Sequence, residues 1–461
     1  MTTQATSPAA RRPAFRLVRR RPAAPSALRD DPLQRHVIDH TDGPLLVIGG
    51  PGTGKTTTLV EAVAARIAEG ADPERVLVLT FGRRGAASLR DRIEARIAGD
   101  ERRIVHEPLV RTFHAYAFGL LRRAAAERGE PSPRLLTGPE QDLVIRELLA
   151  IVGESDEDPF GWPDGLRPAL PTRAFAQQLR DLMQRAAERG VPPAELARLG
   201  ERLGRDDWPA AARFIREYVA VLALRDATTR GSTAYDPAEL VRAASGLLAG
   251  DPSLLEAERR RLDFVYVDEL ADTDPAQIEL LSLIASGGVP LVAFGDPDSS
   301  IYGFRGADPA AVSSFPVRFR TASGALAETL TLHTSYRADR PVLDATSRVS
   351  SRMRGPYRHR HLHTPPSTIA EEPEGAAPPS SDDGPASPSR DHDGLAGGTV
   401  VRTFRSSVSE NAYVAHALRE AHLIHGVPWS RMAVLLRSTS LQLPPLQRAL
   451  SASGVPTVTL A

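Results

Sequence analysis

Five short runs of apolar residues mark the chain: Leu45 to Ile48, Val76 to Phe81, Leu109 with Val110, Phe264 to Val267, and Pro290 to Phe294. They are close to unbroken rather than alternating, the pattern of strands buried on both faces of a parallel sheet. Between them the apolar spacing turns helical, as at Leu59, Val60, Val63, Ala64 and Ile67, and again from Ala86 to Ile97. Residues 116–250 carry no strand signal. Helical periodicity fills 141–151, 174–189, 208–225 and 236–249, with Phe214, Tyr218, Val221 and Leu222 forming one stripe and a loop at 152–172. Gly190 followed by Val191 and Pro192 is a helix stop. Strands alternating with helices predict an α/β fold with a parallel sheet, interrupted by a helical insertion.

Beyond residue 326 the pattern predicts part of a second α/β domain. Strands are expected at Thr399–Phe404 and Met432–Arg437, with helices over Ser409–His425 and from near Pro445. Residues 1–30 hold seven arginines against one acid, Asp30, and read as a disordered tail, either solvated or touching nucleic-acid phosphates. Residues 364–398 hold seven prolines and almost nothing apolar, so disorder is expected there too.

Composition sets outer limits. The formal net charge is zero, so affinity for a polyanion must come from local patches. Without cysteine there is no disulfide or thiol nucleophile. The chain has no apolar run long enough to span a membrane and no secretory signal at its amino terminus, so it reads as cytoplasmic. Of 57 basic residues all but one are arginine, and the single lysine is Lys55.

That lysine closes the run Gly49, Gly50, Pro51, Gly52, Thr53, Gly54, Lys55, Thr56, Thr57, placed between a predicted strand and a predicted helix. The context makes it a phosphate loop: backbone N–H groups turn inward, Lys55 reaches the outer phosphates, and Thr56 can ligate magnesium. A compact ammonium survives at the one position that a planar guanidinium would not suit. Gln34, about fifteen residues upstream, offers a donor and an acceptor to an adenine edge. Asp268 and Glu269 follow a buried strand. Asp268 suits a water-mediated magnesium ligand, and Glu269 the group that orients and deprotonates an attacking water. Thr80, Phe81, Thr112, Phe113 and His114 fall at the carboxyl ends of strands, where aromatics beside hydroxyls suit single-stranded nucleic acid.

With Gly295–Ala307 (GDPDSSIYGFRGA) and the run Ser335, Tyr336, Arg337 added, the motifs resemble those of UvrD/Rep/PcrA-type superfamily 1 DNA helicases, in order and at family spacing from about residue 31. The arginine-rich preamble and the GDPDS variant look most like a subunit of the AdnA/AdnB helicase–nucleases. The resemblance implies two RecA-like domains: residues 31–115 with 251–325 as the first, around the 116–250 insertion, and 326–461 as part of the second. It implies ATP and magnesium, 3′ to 5′ movement on single-stranded DNA and at duplex junctions, and a second subunit as partner. It would make Gln34 an adenine reader, Tyr336 its stacking partner and Arg337 an arginine finger from the second domain. Tyr302, Phe304 and Arg305 would contact DNA beside Phe81 and His114.

Two positions depart from the family. Ala271 and Ser299 stand where glutamines link nucleotide state to DNA grip. A serine, Ser335, also replaces the usual asparagine before Tyr336. A DNA-gripping, ATP-binding subunit that hydrolyses poorly beside an active partner is therefore the second reading. Family members continue past the equivalent of Ala461 with further motifs, including a second arginine finger, so the resemblance covers the amino-terminal motor part.

Overall fold

The computed structural model describes residues 31–97, 109–154, 158–228, 233–286, 288–355, 358–365 and 399–459. The tail at 1–30 and nearly all of the 364–398 stretch lie outside the described residues. Contacts divide the chain into two units, Met1–Arg337 with Pro356–Leu362, and Ala338–Gly355 with His363–Ala461.

In the first unit the apolar runs become strands β1 (Pro44–Gly49), β2 (Val76–Thr80) and β3 (Leu109–Thr112). A two-residue pair, β4 (Arg134–Leu135) and β5 (Ala234–Tyr235), precedes β6 (Phe264–Val267), β7 (Leu291–Gly295) and β8 (Glu328–Leu332). Six of these form one sheet in the order β3-β2-β6-β7-β1-β8, every neighbouring pair parallel. Successive side chains take opposite faces: Leu46, Leu77, Leu79, Val265, Val267 and Ala293 on one side, Leu45, Val47, Val76, Val78, Tyr266 and Val292 on the other. Both faces are covered, so neither set can be polar, and the runs are continuous for that reason.

Helices α1 (Pro32–Asp39), α2 (Lys55–Ala68) and α3 (Arg83–Ile97) cover one face with Val37, Leu59, Val63, Leu89 and Ile93. The other face is met by α4 (Phe113–Glu127). Then come α5 (Gly138–Glu154), α6 (Arg173–Glu188) and α8 (Asp207–Thr228), which build a separate core on Phe214, Tyr218, Phe160 and Trp162, while α7 (Pro193–Leu203) packs Leu196 against Ala212 and Ile215 of α8. The chain returns to the sheet with α9 (Leu240–Gly250), α10 (Pro252–Arg260), α11 (Pro275–Ala285) and α12 (Ala310–Arg318).

Three expectations are corrected here. The insertion does not begin at 116 or end at 250, because Tyr116, Leu120 and Leu121 of α4 and Leu240, Ala244 and Leu248 of α9 belong to the sheet's own core. Its helices also frame the short β4–β5 pair, for which the pattern held no signal at two residues each. The first domain does not stop at 325 either: β8 pairs with β1, Leu46 opposite Thr329. Its Glu-Thr-Leu-Thr-Leu alternation marks an edge strand, unlike the runs of the buried strands.

The second unit holds α13 (Arg340–Ser350), and α14 (Ser407–Leu423) and α15 (Thr439–Ala452), which pair around a small core of Ala415, Leu446, Leu450 and Val455. The strands expected at 399–404 and 432–437 are not formed. An apolar run becomes a strand only beside a hydrogen-bonding neighbour, and neither segment pairs in a ladder among the described residues; Leu435 is left 94% exposed. Helix α15 starts at Thr439 rather than near Pro445 and carries Pro444 and Pro445 inside it. Among the described residues no helix is long and apolar enough to cross a membrane.

Candidate nucleotide and nucleic-acid site

The carboxyl ends of the six parallel strands gather the chemistry that the sequence scattered. The loop after β1 caps α2 through Gly54, whose φ of +86° is open to glycine without strain. A side chain there would also strike the Gln34 amide, its Cβ lying 2.6 Å from Nε2. At Gly52, φ +81°, a Cβ would sit 2.7 Å from that of Arg337. These contacts show what surrounds the loop. Buried Gln34 donates from Nε2 to the Thr53 carbonyl at 2.9 Å. From the opposite side the Tyr336 N–H donates to the Gly52 carbonyl at 2.9 Å and the Ser335 hydroxyl to that of Pro51 at 3.3 Å. Lys55 folds back, its ammonium donating to the Gly49 carbonyl at 2.6 Å and the Gly50 carbonyl at 3.3 Å.

Asp268 and Glu269 emerge from β6 beside this lysine. Burial, then the neighbouring Glu269 carboxylate, pushes Asp268 up to about 6, against the pull of Lys55. Its Oδ1 is buried with no hydrogen-bond partner in the described structure, an acceptor suited to a cation or an ordered water. Glu269 is raised too, chiefly by burial and then by Asp272 and Asp296, with Lys55 opposing. Its backbone is left-handed, φ +57° and ψ +49°, alone among the described non-glycine residues. Such a conformation costs about 1–3 kcal/mol and persists only where the surroundings hold it.

The next segment ties these carboxylates to an aromatic shelf. Burial pushes the Asp272 carboxyl up, and its neighbours Ser300, Ile301 and Tyr302 at the start of the next loop oppose the shift. The loop leaves β7 at Gly295, which pairs with Ile48, and its far end is fastened where the Asp308 N–H donates to the Thr273 carbonyl at 2.9 Å. On it, Tyr302 stacks on Phe81 with centroids 4.3 Å apart, and Phe304 follows at 6.2 Å from Tyr302. The Arg305 guanidinium lies 5.6 Å from both the Tyr302 and the Phe304 rings. Phe304 is 73% exposed, an unusual position for a phenylalanine with no core to serve. His114 is half-buried nearby in sequence to α4's start, its imidazole pushed down by burial and by Arg83.

Not every expected residue reaches this surface. Phe113 is 1% exposed and packs in the core under the sheet, because it opens α4 on the inward face. The Thr112 hydroxyl is spent as the amino-terminal cap of α4, accepting from Ala115 N–H at 3.2 Å. Thr80 is buried as well. Arg337 was expected from the second domain; contacts group it with the first unit, where its backbone adjoins Gly52.

Other residues join the site from outside the motifs. Asp31 caps α1, accepting from Leu33 and Gln34 N–H, while its second oxygen accepts from Tyr336. The Asp-Pro start was a legible capping signal; the Tyr336 contact was not. Ser299 donates from its hydroxyl to Asp296, and Asp298 accepts from His359 and Arg360.

A parallel sheet whose strand ends collect a phosphate loop, an acidic pair and an aromatic shelf defines a P-loop nucleotide-binding domain of RecA-like form. The chain belongs to the UvrD/REP helicase N-terminal domain family, whose model matches residues 30–320. It is 27% identical over 323 residues to the ATP-dependent DNA helicase PcrA of Leuconostoc citreum, covering 68% of this chain and 38% of that protein. Against the ATP-dependent DNA helicase UvrD1 of Mycobacterium leprae it is 29% identical over 348 residues, covering 72% of this chain and 41% of that protein. The chain thus spans about two fifths of the length of these relatives. The family resemblance read from the motifs is borne out by these matches.

Proposed function

We propose that this chain is the ATP- and DNA-binding part of a motor that moves along single-stranded DNA, 3′ to 5′, and acts at duplex junctions in repair or recombination. The observation that carries this reading is the loop from Asp296 to Asp308, which leaves β7 beside the carboxylates, is tied at Asp308 to Thr273, and bears an exposed aromatic and cationic shelf. Gln34 and Tyr336 flank the loop as adenine contacts, and Gly49 through Thr57 receive the phosphates. Thr56 and Asp268 would hold magnesium, which neutralises phosphate charge when bound. Glu269, kept basic by its burial yet facing Lys55, takes the proton of the attacking water. Arg337, exposed beside Gly52, is placed to meet the outer phosphate. Phe81, Tyr302 and Phe304 stack on bases while Arg305 meets a phosphate. The setting is cytoplasmic, with a second helicase–nuclease subunit of the AdnA/AdnB kind as partner.

Steady-state ATPase, with and without single-stranded DNA, tests the reading. DNA-stimulated turnover that is lost in Lys55→Ala supports it; turnover indifferent to both would sink it. One observation favours a weaker hydrolase that grips DNA for a partner. Ser299 is tied to Asp296 and Ala271 is buried, so neither can extend toward a nucleotide as glutamine would. ATP and DNA binding with slow turnover, recovered on adding a partner motor, is the outcome expected of that second reading.

A further inference from the structure

The segment from Arg358 to Leu362 belongs by its contacts to the first unit, although the chain on both sides of it, 338–355 and from 363 onward, belongs to the second. The polypeptide therefore passes between the units three times, and two of those passages bracket this short strap. Its anchors are specific. His359 is 3% exposed, with Nε2 2.8 Å from Asp298 Oδ2 and 3.7 Å from Asp296 Oδ1. Buried Arg360 donates to the same carboxylate, Nη2 to Oδ1 at 2.8 Å and Nε to Oδ2, a bidentate pair. Two residues on, Leu362 packs over the phosphate loop so closely that a Cβ on Gly50 would lie 2.9 Å from its Cδ1.

One strap thus touches two turns at the proposed nucleotide site: Gly50, whose carbonyl accepts from Lys55, and the Asp296–Asp298 turn. Where the family resemblance implies a glutamine reaching from that turn to the nucleotide, position 299 is a serine bonded back to Asp296. We propose that His359 and Arg360 are positioning residues that carry nucleotide occupancy to the second unit through this strap, in place of the missing glutamine. The inference rests on the nucleotide and DNA reading above. Its physical basis is shortness: a few residues fixed at Asp298 and at Gly50 have little slack, so a shift of either loop moves the strap and with it the chain that leads back to 338–355.

The test is coupling rather than binding. With the whole chain, affinity for a fluorescent single-stranded oligonucleotide is measured by anisotropy with and without a non-hydrolysable ATP analogue, and analogue affinity by calorimetry. In the unaltered chain the analogue should change oligonucleotide affinity several-fold. Arg360→Ala and His359→Ala should each keep analogue affinity and nucleotide-free oligonucleotide affinity within about twofold, while the analogue's effect on DNA falls toward none. Should either fail to fold, His359→Asn and Arg360→Lys keep a donor toward Asp298; a partial loss of coupling is expected of them. Coupling unchanged in all variants that fold, or ligands that bind independently in the unaltered chain, would overturn the strap and leave the binding sites standing. A chain that binds no analogue at all would overturn the functional reading itself.

Discussion

The Tyr336 hydroxyl donates to Asp31 Oδ2 at 2.8 Å, joining the first described residue of the chain to one 305 positions later. The other oxygen of Asp31 caps α1. One carboxylate thus sets both walls of the niche that Gln34 and Tyr336 form over Gly54.

Tyr336→Phe should lower stability by about 0.5–1.5 kcal/mol, the net worth of one hydrogen bond. Asp31→Ala should cost more, on the order of 1–3 kcal/mol, since it removes the cap as well. The double variant should fall short of the sum, because the two share one bond. Urea titrations of the three proteins check this, and strict additivity would mean that the contact contributes nothing.

Lys55 carries the chain's only side-chain amine. An amine-reactive label should modify Lys55 and the amino terminus alone, and saturating ATP should protect the former. Peptide mapping by mass spectrometry reads the result. Labelling of Lys55 that is indifferent to ATP would place the nucleotide elsewhere.

Phe304 and Phe113 make a matched pair of phenylalanines with opposite expectations. Phe304→Ala should weaken single-stranded DNA binding about tenfold, stacking being worth roughly 1–3 kcal/mol per base, with stability hardly changed. Phe113→Ala should cost about 3–5 kcal/mol of stability, since it empties a core position. Anisotropy and thermal melting of both proteins separate the two roles. A Phe304→Ala protein that binds DNA normally would remove the shelf from the DNA track.

Glu188, at the end of α6, lies buried against Gly306, just past the shelf. Burial and then Asp274 push it up to about 7, against the pull of Arg185 and Gln184. The folded state therefore holds the proton more tightly than the unfolded chain, whose carboxyl titrates near the ordinary glutamate value. Stability from this group is full below about 4.5 and is lost as pH rises through about 7, on the order of 2–3 kcal/mol in all. Asp274, itself pushed up to about 6 by burial, acts in the same direction. Melting temperatures across pH 5–8 should fall for the unaltered protein and flatten in Glu188→Gln; identical slopes would show that Glu188 is ionised without cost.

Sheet and phosphate loop were legible because their signals are local: an unbroken apolar run, then glycines at fixed offsets, then a helix. The edge strand β8 was not, since one covered neighbour leaves it alternating, and Phe113 was misplaced because a strand end does not say which way the next residue turns. The role of His359 and Arg360 was not legible, since they stand in none of the motifs. Their partner, Asp298, lies 61 residues from His359, and nothing local to either announces the pairing.

The loop from Asp296 to Asp308 has a consequence for how such a chain can change over time or by design. Held in the sheet at Gly295 and tied at Asp308 to Thr273, it is a circuit of backbone whose circumference is set by residue number. Exchanging Tyr302, Phe304 or Arg305 leaves that circumference alone, and so adjusts what the surface accepts. Adding or deleting a single residue would throw either the turn that the Ala307 N–H closes on the Tyr302 carbonyl or the Asp308 fastening out of register. Variation here should therefore run through side-chain identity at constant length, and libraries that vary loop length at this position should be recovered almost entirely as misfolded or inactive clones.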